Sequence, residues 1–330
     1  MEENGFFTLI CVVALFAVLS GGCGMREEEA VSGEISLENP AFEQEMGQEG
    51  EQETVSYEYE TRELWAERDE NRIYGLFYVP QGAGEKMPTV IFSHGFGGNY
   101  QVGAQYAQAL AERGYVVYCF DFCGGSPGSR SDGSTLEMSI FTEQADLEAV
   151  IRTMKEQPFV DQENIFLMGT SQGGAVSAIT AAANKEEIQG MILLYPAFVL
   201  VDHVKEQFEK VEDIPDTYDL MWMTVGRAYA ENLLDYDIYE AISDYDKDVL
   251  LIHGDADSIV PLSYSERAIE VYNSARLEVL PGAGHGFHGS DAAQAITWML
   301  EYLEAQTLVG EEGTVRLELV NDEGDAAENE

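Results

Sequence analysis

The chain is predicted to be an α/β protein: a mostly parallel central sheet with helices on both faces, an N-terminal hairpin and a cap insertion. Three observations predict it. After Pro88, short apolar runs alternate with helix-length segments, which implies right-handed βαβ units covered on both faces. Upstream, residues 57–80 alternate apolar and polar positions around Asp69-Glu-Asn71, a hairpin signal. One connection, from Tyr195 to Asp248, runs to about fifty residues, far too long for a plain loop in a compact domain.

Each element follows in order. The predicted buried strands are Thr89–Ser93, Tyr115–Asp121, Asn164–Gly169, Gly190–Tyr195, Asp248–His253 and Ala275–Leu280. Helical segments are expected near 100–113, 139–157, 172–184, 263–273 and 291–305. The long connection is rich in Tyr and acids, contains Trp222, and reads as helical; it should sit as a cap over one end of the sheet.

The organisation around this domain is read from charge. The 330 residues hold 61 acidic and 17 basic side chains, a formal charge of −44. Such a chain excludes nucleic acid as a partner, because phosphate backbones are bound by Lys and Arg, and it is repelled by anionic lipid headgroups. The excess is concentrated at the ends: 12 Glu against one Arg from Met25 to Glu60, and 8 acids against one Arg from Thr307 to Glu330. Residues 25–56 therefore read as an acidic, disordered linker and 307–330 as an acidic tail. Residues 57–306 form the folded domain, with the cap at about 199–247.

Residues 1–24 read as a secretory signal. Phe6–Leu19 is an apolar run of 14 residues, short of the roughly 20 needed to span a bilayer and matched to a signal h-region. Leu19-Ser-Gly-Gly-Cys23 then resembles a bacterial lipoprotein cleavage site, which would make Cys23 the lipidated residue. Two features depart from that pattern: the leucine stands one place early, and no Lys or Arg precedes Phe6. The expected location is the extracellular face of the bacterial cytoplasmic membrane, by lipid anchor, or the secreted medium. Of the other cysteines, Cys11 lies in the signal. Cys119 and Cys123 flank one strand end at roughly 13 Å of extended chain, too far for a disulfide, and are expected as free thiols. No His or Cys pair has metal-ligand spacing, so no metal is expected.

The chemistry stands at the carboxyl ends of the predicted strands, where α/β sheets bind ligands. Two segments match G-x-S-x-G. Gly169-Thr-Ser171-Gln-Gly173 follows a strand and runs straight into a good helix, the strand–turn–helix that holds a serine at an exposed corner beside a helix N-terminus. Gly124-Gly-Ser126-Pro-Gly128 fails, because Pro127 has no N–H to give an oxyanion and keeps the preceding residue out of helical geometry. Ser171 is therefore the expected nucleophile and Ser126 a loop serine.

A serine needs a base, and the base an orienting carboxylate. His285, set among glycines, is the expected base, with His288 as the neighbouring alternative. Asp257 is the expected acid; Asp255, directly after His253-Gly254, is expected to bind turn backbone. Acyl transfer also needs preorganised donors for the oxyanion. The backbone N–H groups of Gln172 and Phe96 are the candidates, the latter in the glycine-rich His94-Gly-Phe96-Gly-Gly98 loop. His94 itself is expected to brace that loop.

Together these residues resemble the α/β-hydrolase superfamily, and most closely its bacterial cinnamoyl (feruloyl) esterase-like branch. The resemblance runs from about Leu76 to Leu303. It covers His94–Asn99, Asp121–Gly133, Met138–Leu147, Gly169–Gly174, His253–Pro261 and Gly284–Phe287. Prolyl-oligopeptidase-like and monoglyceride-lipase-like hydrolases share most of these motifs. The resemblance implies that the aspartate four residues beyond His253, Asp257, is the acid of the triad. It implies a serine carboxylesterase acting on small aryl, cinnamoyl or acetyl esters without cofactor. Two alternatives stand beside it: a serine peptidase acting on short peptides, and a non-catalytic binding lipoprotein on a hydrolase scaffold. Residues 199–248 carry 14 acids against four bases, which disfavours polyanionic substrates.

Overall fold

The computed structural model describes residues 55–308. The predicted signal, Cys11, Cys23 and nearly all of the linker and tail lie outside the described residues. Thr307 and Leu308, the first residues assigned to the tail, still belong to the domain: Asn164 exchanges hydrogen bonds with the Leu308 N–H and C=O at 2.7 and 2.9 Å.

The hairpin forms as predicted. β1 (Tyr59–Arg68) pairs antiparallel with β2 (Asn71–Pro80), and Asp69 turns the corner at a φ of 53°. The remaining sheet strands are β3 (Met87–Ser93), β4 (Val116–Phe120), β5 (Val160–Thr170), β6 (Gly190–Leu194), β9 (Val249–Gly254) and β10 (Ala275–Leu280). They lie in the order β1-β2-β4-β3-β5-β6-β9-β10, parallel from β4 onward.

Each buried run serves two cores at once. Ile91, Tyr118, Leu167, Leu193 and Leu251 face one side, where α2 (Ile140–Lys155), α3 (Gln172–Ala183) and α7 (Ser263–Val271) pack. Their neighbours Phe92, Cys119, Met168, Leu194 and Ile252 face the other, against α1 (Ala104–Ala111) and α8 (Ser290–Gln306). The pleat sends successive side chains to opposite faces, so a strand covered on both is apolar throughout. Cys119 and Cys123 are buried free thiols. Among the described residues no helix is long and apolar enough to cross a membrane.

The chain leaves β3 for β4 on one side, then returns to place β5 on the other. Such a reversal opens a crevice beyond the carboxyl ends of the two strands. Ser93 pairs with Gly169, so the His94–Gly98 loop and the Ser171 corner flank this crevice side by side.

The cap departs from expectation. It has short helices, α4 (Leu200–Gln207), α5 (Ala228–Glu231) and α6 (Ile238–Ile242), but between them stands an antiparallel hairpin of β7 (Thr217–Leu220) and β8 (Met223–Gly226). Tyr218, Leu220, Met223 and Val225 have the period of a strand and face one small core with Met138. The turn hid the signal: Met221 takes a φ of 54°, a conformation that hairpins normally assign to Gly, Asn or Asp. The far strand seats tightly, since a Cβ on Gly226 would stand 1.9 Å from the Leu136 carbonyl oxygen.

One buried ion pair ties the hairpin to the rest. Asp146, inside α2, is wholly buried; it accepts from Arg68 at the end of β1 and from the Cys123 N–H at 2.8 Å. Burial raises its pKa, and Arg68 opposes that rise. Arg68→Met should destabilise the domain by roughly 3–5 kcal/mol, because it strands a buried charge. Adding Asp146→Asn should restore part of the loss, as chemical denaturation of the two variants would measure.

Candidate active site

The corner between β5 and α3 is built by close approach. A Cβ at Gly169 would stand 2.2 Å from the Gly173 carbonyl oxygen, and one at Gly173 would stand 2.3 Å from that of Ser93. Only glycine at both places lets the corner fold back on β3. Ser171 then adopts φ 51° and ψ −121°, outside the ordinary regions for an L-residue. A serine at a helix N-cap normally spends its hydroxyl on an N–H of the first turn, but this one makes no such bond.

The hydroxyl meets His285 instead. Ser171 Oγ is 3.0 Å from His285 Nε2, and His285 Nδ1 is 2.7 Å from Asp257 Oδ2. A carboxylate accepts, so Nδ1 carries the proton and Nε2 presents its lone pair to the serine. The Asp257 side chain is fully buried; its other oxygen accepts from the N–H groups of Ile259 at 2.8 Å and Val260 at 2.9 Å. The His285 ring rests edge-on against Tyr195.

The alternatives stand elsewhere. Asp255 is exposed and accepts from the Gly282 N–H at 2.6 Å, the turn contact expected of it. His288 is exposed at the start of α8. Ser126 is buried with a hydroxyl that has no partner among the described residues. His94 braces its loop: Nδ1 bonds the Gly95 carbonyl at 2.8 Å and Nε2 accepts the Phe122 N–H at 3.2 Å. Burial lowers its pKa, in keeping with that neutral tautomer.

Gly95 packs against Ser171, since a Cβ there would lie 3.1 Å from Ser171 Cβ. Phe96 follows it. Among the described residues, neither the Phe96 nor the Gln172 N–H has a protein acceptor. Two unengaged donors therefore flank the serine, as an oxyanion site requires.

Two cavities meet at Ser171. The larger, about 340 Å³, runs beneath the cap between Phe96, Val199, Leu200, Tyr218, Tyr229 and Val260. The smaller, about 190 Å³, includes His285, Tyr195 and the hairpin tip, Met221 and Trp222. The Trp222 ring lies 5.7 Å from that of Phe96. No carboxylate lines either cavity among the described residues.

Sequence reasoning missed a buried layer behind these residues. His253 is wholly buried, donates from Nε2 to the Val260 carbonyl at 2.9 Å and contacts Ser265 Oγ at 2.7 Å; burial lowers its pKa. Glu143 is also wholly buried and accepts from Gln172 Nε2 at 2.8 Å, while Tyr229 donates to Gln172 Oε1 at 2.6 Å. A signal for Glu143 existed: Glu143 and Asp146 fall on the same helix stripe as Leu147, Val150 and Met154. Two carboxyls on an apolar stripe announce buried partners.

Comparison with known proteins places this site in context. A family model described as serine aminopeptidase, S33, matches residues 84–234. An uncharacterized protein of Mycobacterium tuberculosis is 27% identical over 227 residues, which covers 68% of this chain and 72% of that one. The monoglyceride lipase of Rattus norvegicus is 27% identical over 128 residues, covering 39% of this chain and 40% of the lipase. Among solved structures, Est1E from Butyrivibrio proteoclasticus with bound ferulic acid aligns with a TM-score of 0.66 at 25% identity. That alignment covers 73% of this chain and 99% of Est1E.

Burial raises the Glu143 pKa to about 8, against the opposing bond from Gln172; Asp146 on the same helix pushes it further up, and Tyr229 faces it from the cap. The unfolded chain releases this proton at an ordinary carboxylate pKa, the folded protein only near 8. This contribution to stability is full below the ordinary value and is lost as pH rises through about 8. Glu143→Gln should therefore gain stability relative to wild type as the pH is raised across that window, and level off above it. Paired denaturation midpoints at acidic, neutral and alkaline pH would measure the gain; a difference independent of pH would contradict it.

Proposed function

The chain belongs to the α/β-hydrolase superfamily, and from that premise we propose that it is a serine carboxylesterase acting on small, uncharged acyl esters. The observation that carries the reading is the Ser171–His285–Asp257 relay opening onto an apolar cavity that, among the described residues, has no carboxylate in its lining. In the proposed cycle Ser171 Oγ attacks the ester carbonyl and passes its proton to His285 Nε2. Asp257 stabilises the imidazolium, and the N–H groups of Phe96 and Gln172 hold the oxyanion. His285 returns the proton to the departing alcohol oxygen; a water, deprotonated by the same nitrogen, then releases the acid.

The two cavities divide the substrate. His285 must reach the leaving oxygen, and it lines only the smaller cavity, so the alcohol occupies that side and the acyl group the larger one. An apolar space of about 340 Å³ suits an aryl or cinnamoyl acyl group, and the ferulic acid bound by Est1E supports that class. The family description favours a second reading, aminopeptidase. Against it, a free α-ammonium would find no counter-ion among the described residues that line either cavity.

A panel of p-nitrophenyl esters, methyl ferulate and aminoacyl-amides tests the choice; turnover of amides alone would overturn the esterase reading. Ser171→Ala should lower ester turnover by roughly 10⁴-fold or more, with Ser126→Ala near wild type. Asp257→Asn should lower it by roughly 10²–10⁴-fold and Asp255→Asn far less; equal losses would leave the acid unassigned. Absence of Ser171-dependent labelling by a fluorophosphonate probe would instead favour a binding protein.

We also propose, from the signal sequence alone, that the enzyme is lipid-anchored through Cys23 on the outer face of the cytoplasmic membrane. Intact mass of the mature protein checks it. A diacylglycerol-sized increment on a chain beginning at Cys23 is expected, and a chain beginning elsewhere without it would make this an ordinary secreted hydrolase.

A further inference from the structure

Gln172 does more than supply a backbone donor. Its side chain is buried to 1% exposure, and both ends are held. Nε2 donates to Glu143 on α2, a core helix, at 2.8 Å, and Oε1 accepts from Tyr229 on α5, a cap helix, at 2.6 Å. The Tyr229 ring also packs edge-on against Phe96, with centroids 5.8 Å apart and planes at 74°. One cap tyrosine thus touches both residues whose N–H groups flank the nucleophile. Its own ring is 2% exposed, so neither contact is a surface accident.

We propose that Tyr229 and Glu143 are positioning residues for the oxyanion site: they clamp the Gln172 side chain between core and cap, and so hold its N–H and that of Phe96 on target. The proposal rests on the serine-hydrolase reading above. Its physical basis is that an oxyanion donor acts through preorganisation. Gln172 is the first residue of α3, so its N–H has no partner in a preceding turn; the carbonyl of the same peptide, Ser171 O, accepts from the N–H groups of Gly174, Ala175 and Ala197, and the side chain adds a second anchor. The neighbouring Ser171 holds a strained φ that the surroundings must maintain. A side chain fixed at both ends resists rotation of that peptide. Tyr229 adds a dependence on the cap, since displacing α5 would release Gln172 and unseat Phe96 together.

The test compares Tyr229→Phe, Tyr229→Ala, Glu143→Leu and Glu143→Gln with wild type on p-nitrophenyl esters. Active sites are counted by the stoichiometry of fluorophosphonate labelling, so that unfolded protein drops out. Removing an entire oxyanion donor costs about 10²–10³-fold in kcat, and a loosened donor should cost less. The expected result is a kcat per labelled site lowered roughly 3–10-fold in Tyr229→Phe and roughly 10–100-fold in Tyr229→Ala and Glu143→Leu. KM should stay within about threefold, and a trifluoromethyl ketone that mimics the tetrahedral adduct should weaken in parallel with kcat. Glu143→Gln keeps an acceptor for Gln172 Nε2 and should recover most of what Glu143→Leu loses. A merely structural role would lower the number of labelled sites and the melting temperature but leave kcat per site and inhibitor affinity unchanged. That outcome would overturn the proposal, as would losses falling on KM alone. If Glu143→Leu does not fold, Tyr229→Phe decides, because it removes only a hydroxyl and keeps the ring on Phe96. A wild type with neither labelling nor turnover would overturn the esterase reading, and this proposal with it.

Discussion

The site depends on one backbone conformation, the turn at Ser171 where β5 becomes α3. A residue held at φ 51° costs of order 1–3 kcal/mol and persists only where its surroundings over-determine it. Here they do so from three sides. Gly169 and Gly173 let the turn close on itself and on β3, the Ser171 N–H is held by the Leu194 carbonyl at 2.9 Å, and Gly95 presses against Cβ. The hydroxyl is thereby kept out of the helix cap and aimed at His285. The same geometry brings the Phe96 loop alongside, so Ser171 and both candidate oxyanion donors follow from the pairing of β3 with β5, while His285 arrives from the loop after β10.

Most of this frame was legible because its signals are local. A strand covered on both faces has to be apolar at every position, so Asn164–Gly169 or Asp248–His253 stands out against the amphipathic helices around it. Ser171 could be separated from Ser126 by the chemistry of one proline. The division of each strand between two cores, and the order in which β3 pairs with both β4 and β5, depend on contacts far apart in the chain. The cap hairpin was illegible for a different reason: Met221 and Trp222 occupy its turn, and neither is a turn-forming residue. The strand period in Tyr218, Leu220, Met223 and Val225 was present but spanned too few residues on each side to outweigh the helix-forming composition.

Within the candidate site, the sequence picked out the residues that motif position marks and missed those that only burial brings together. Asp257 and Asp255 differ by two positions, and the structure separates them by partner: one lies under His285, the other on the Gly282 turn. Glu143, His253 and Tyr229 belong to no recognisable spacing with Ser171. Each is enclosed with polar groups that partners from distant parts of the chain satisfy, and enclosure is a tertiary property.

Charge is distributed to match. The chain carries −44 overall and an acid-rich cap, yet among the described residues the walls of both cavities hold no carboxylate. A neutral ester can enter such a space without desolvating a wall charge. On the proposed reading hydrolysis turns that neutral guest into a carboxylate inside a strongly negative protein, where the surrounding field opposes its retention. The cap is then not a freely swinging lid. Lifting it would strip Gln172 of the Tyr229 hydroxyl and break the seat of Gly226 on Leu136. Exchange of substrate and product is better served by motion confined to the exposed Met221–Trp222 tip, which lines the alcohol side and carries none of those buried hydrogen bonds. On that reading the cap divides its work: the hairpin tip borders the smaller cavity, while α5 stays fixed as part of the proposed oxyanion site.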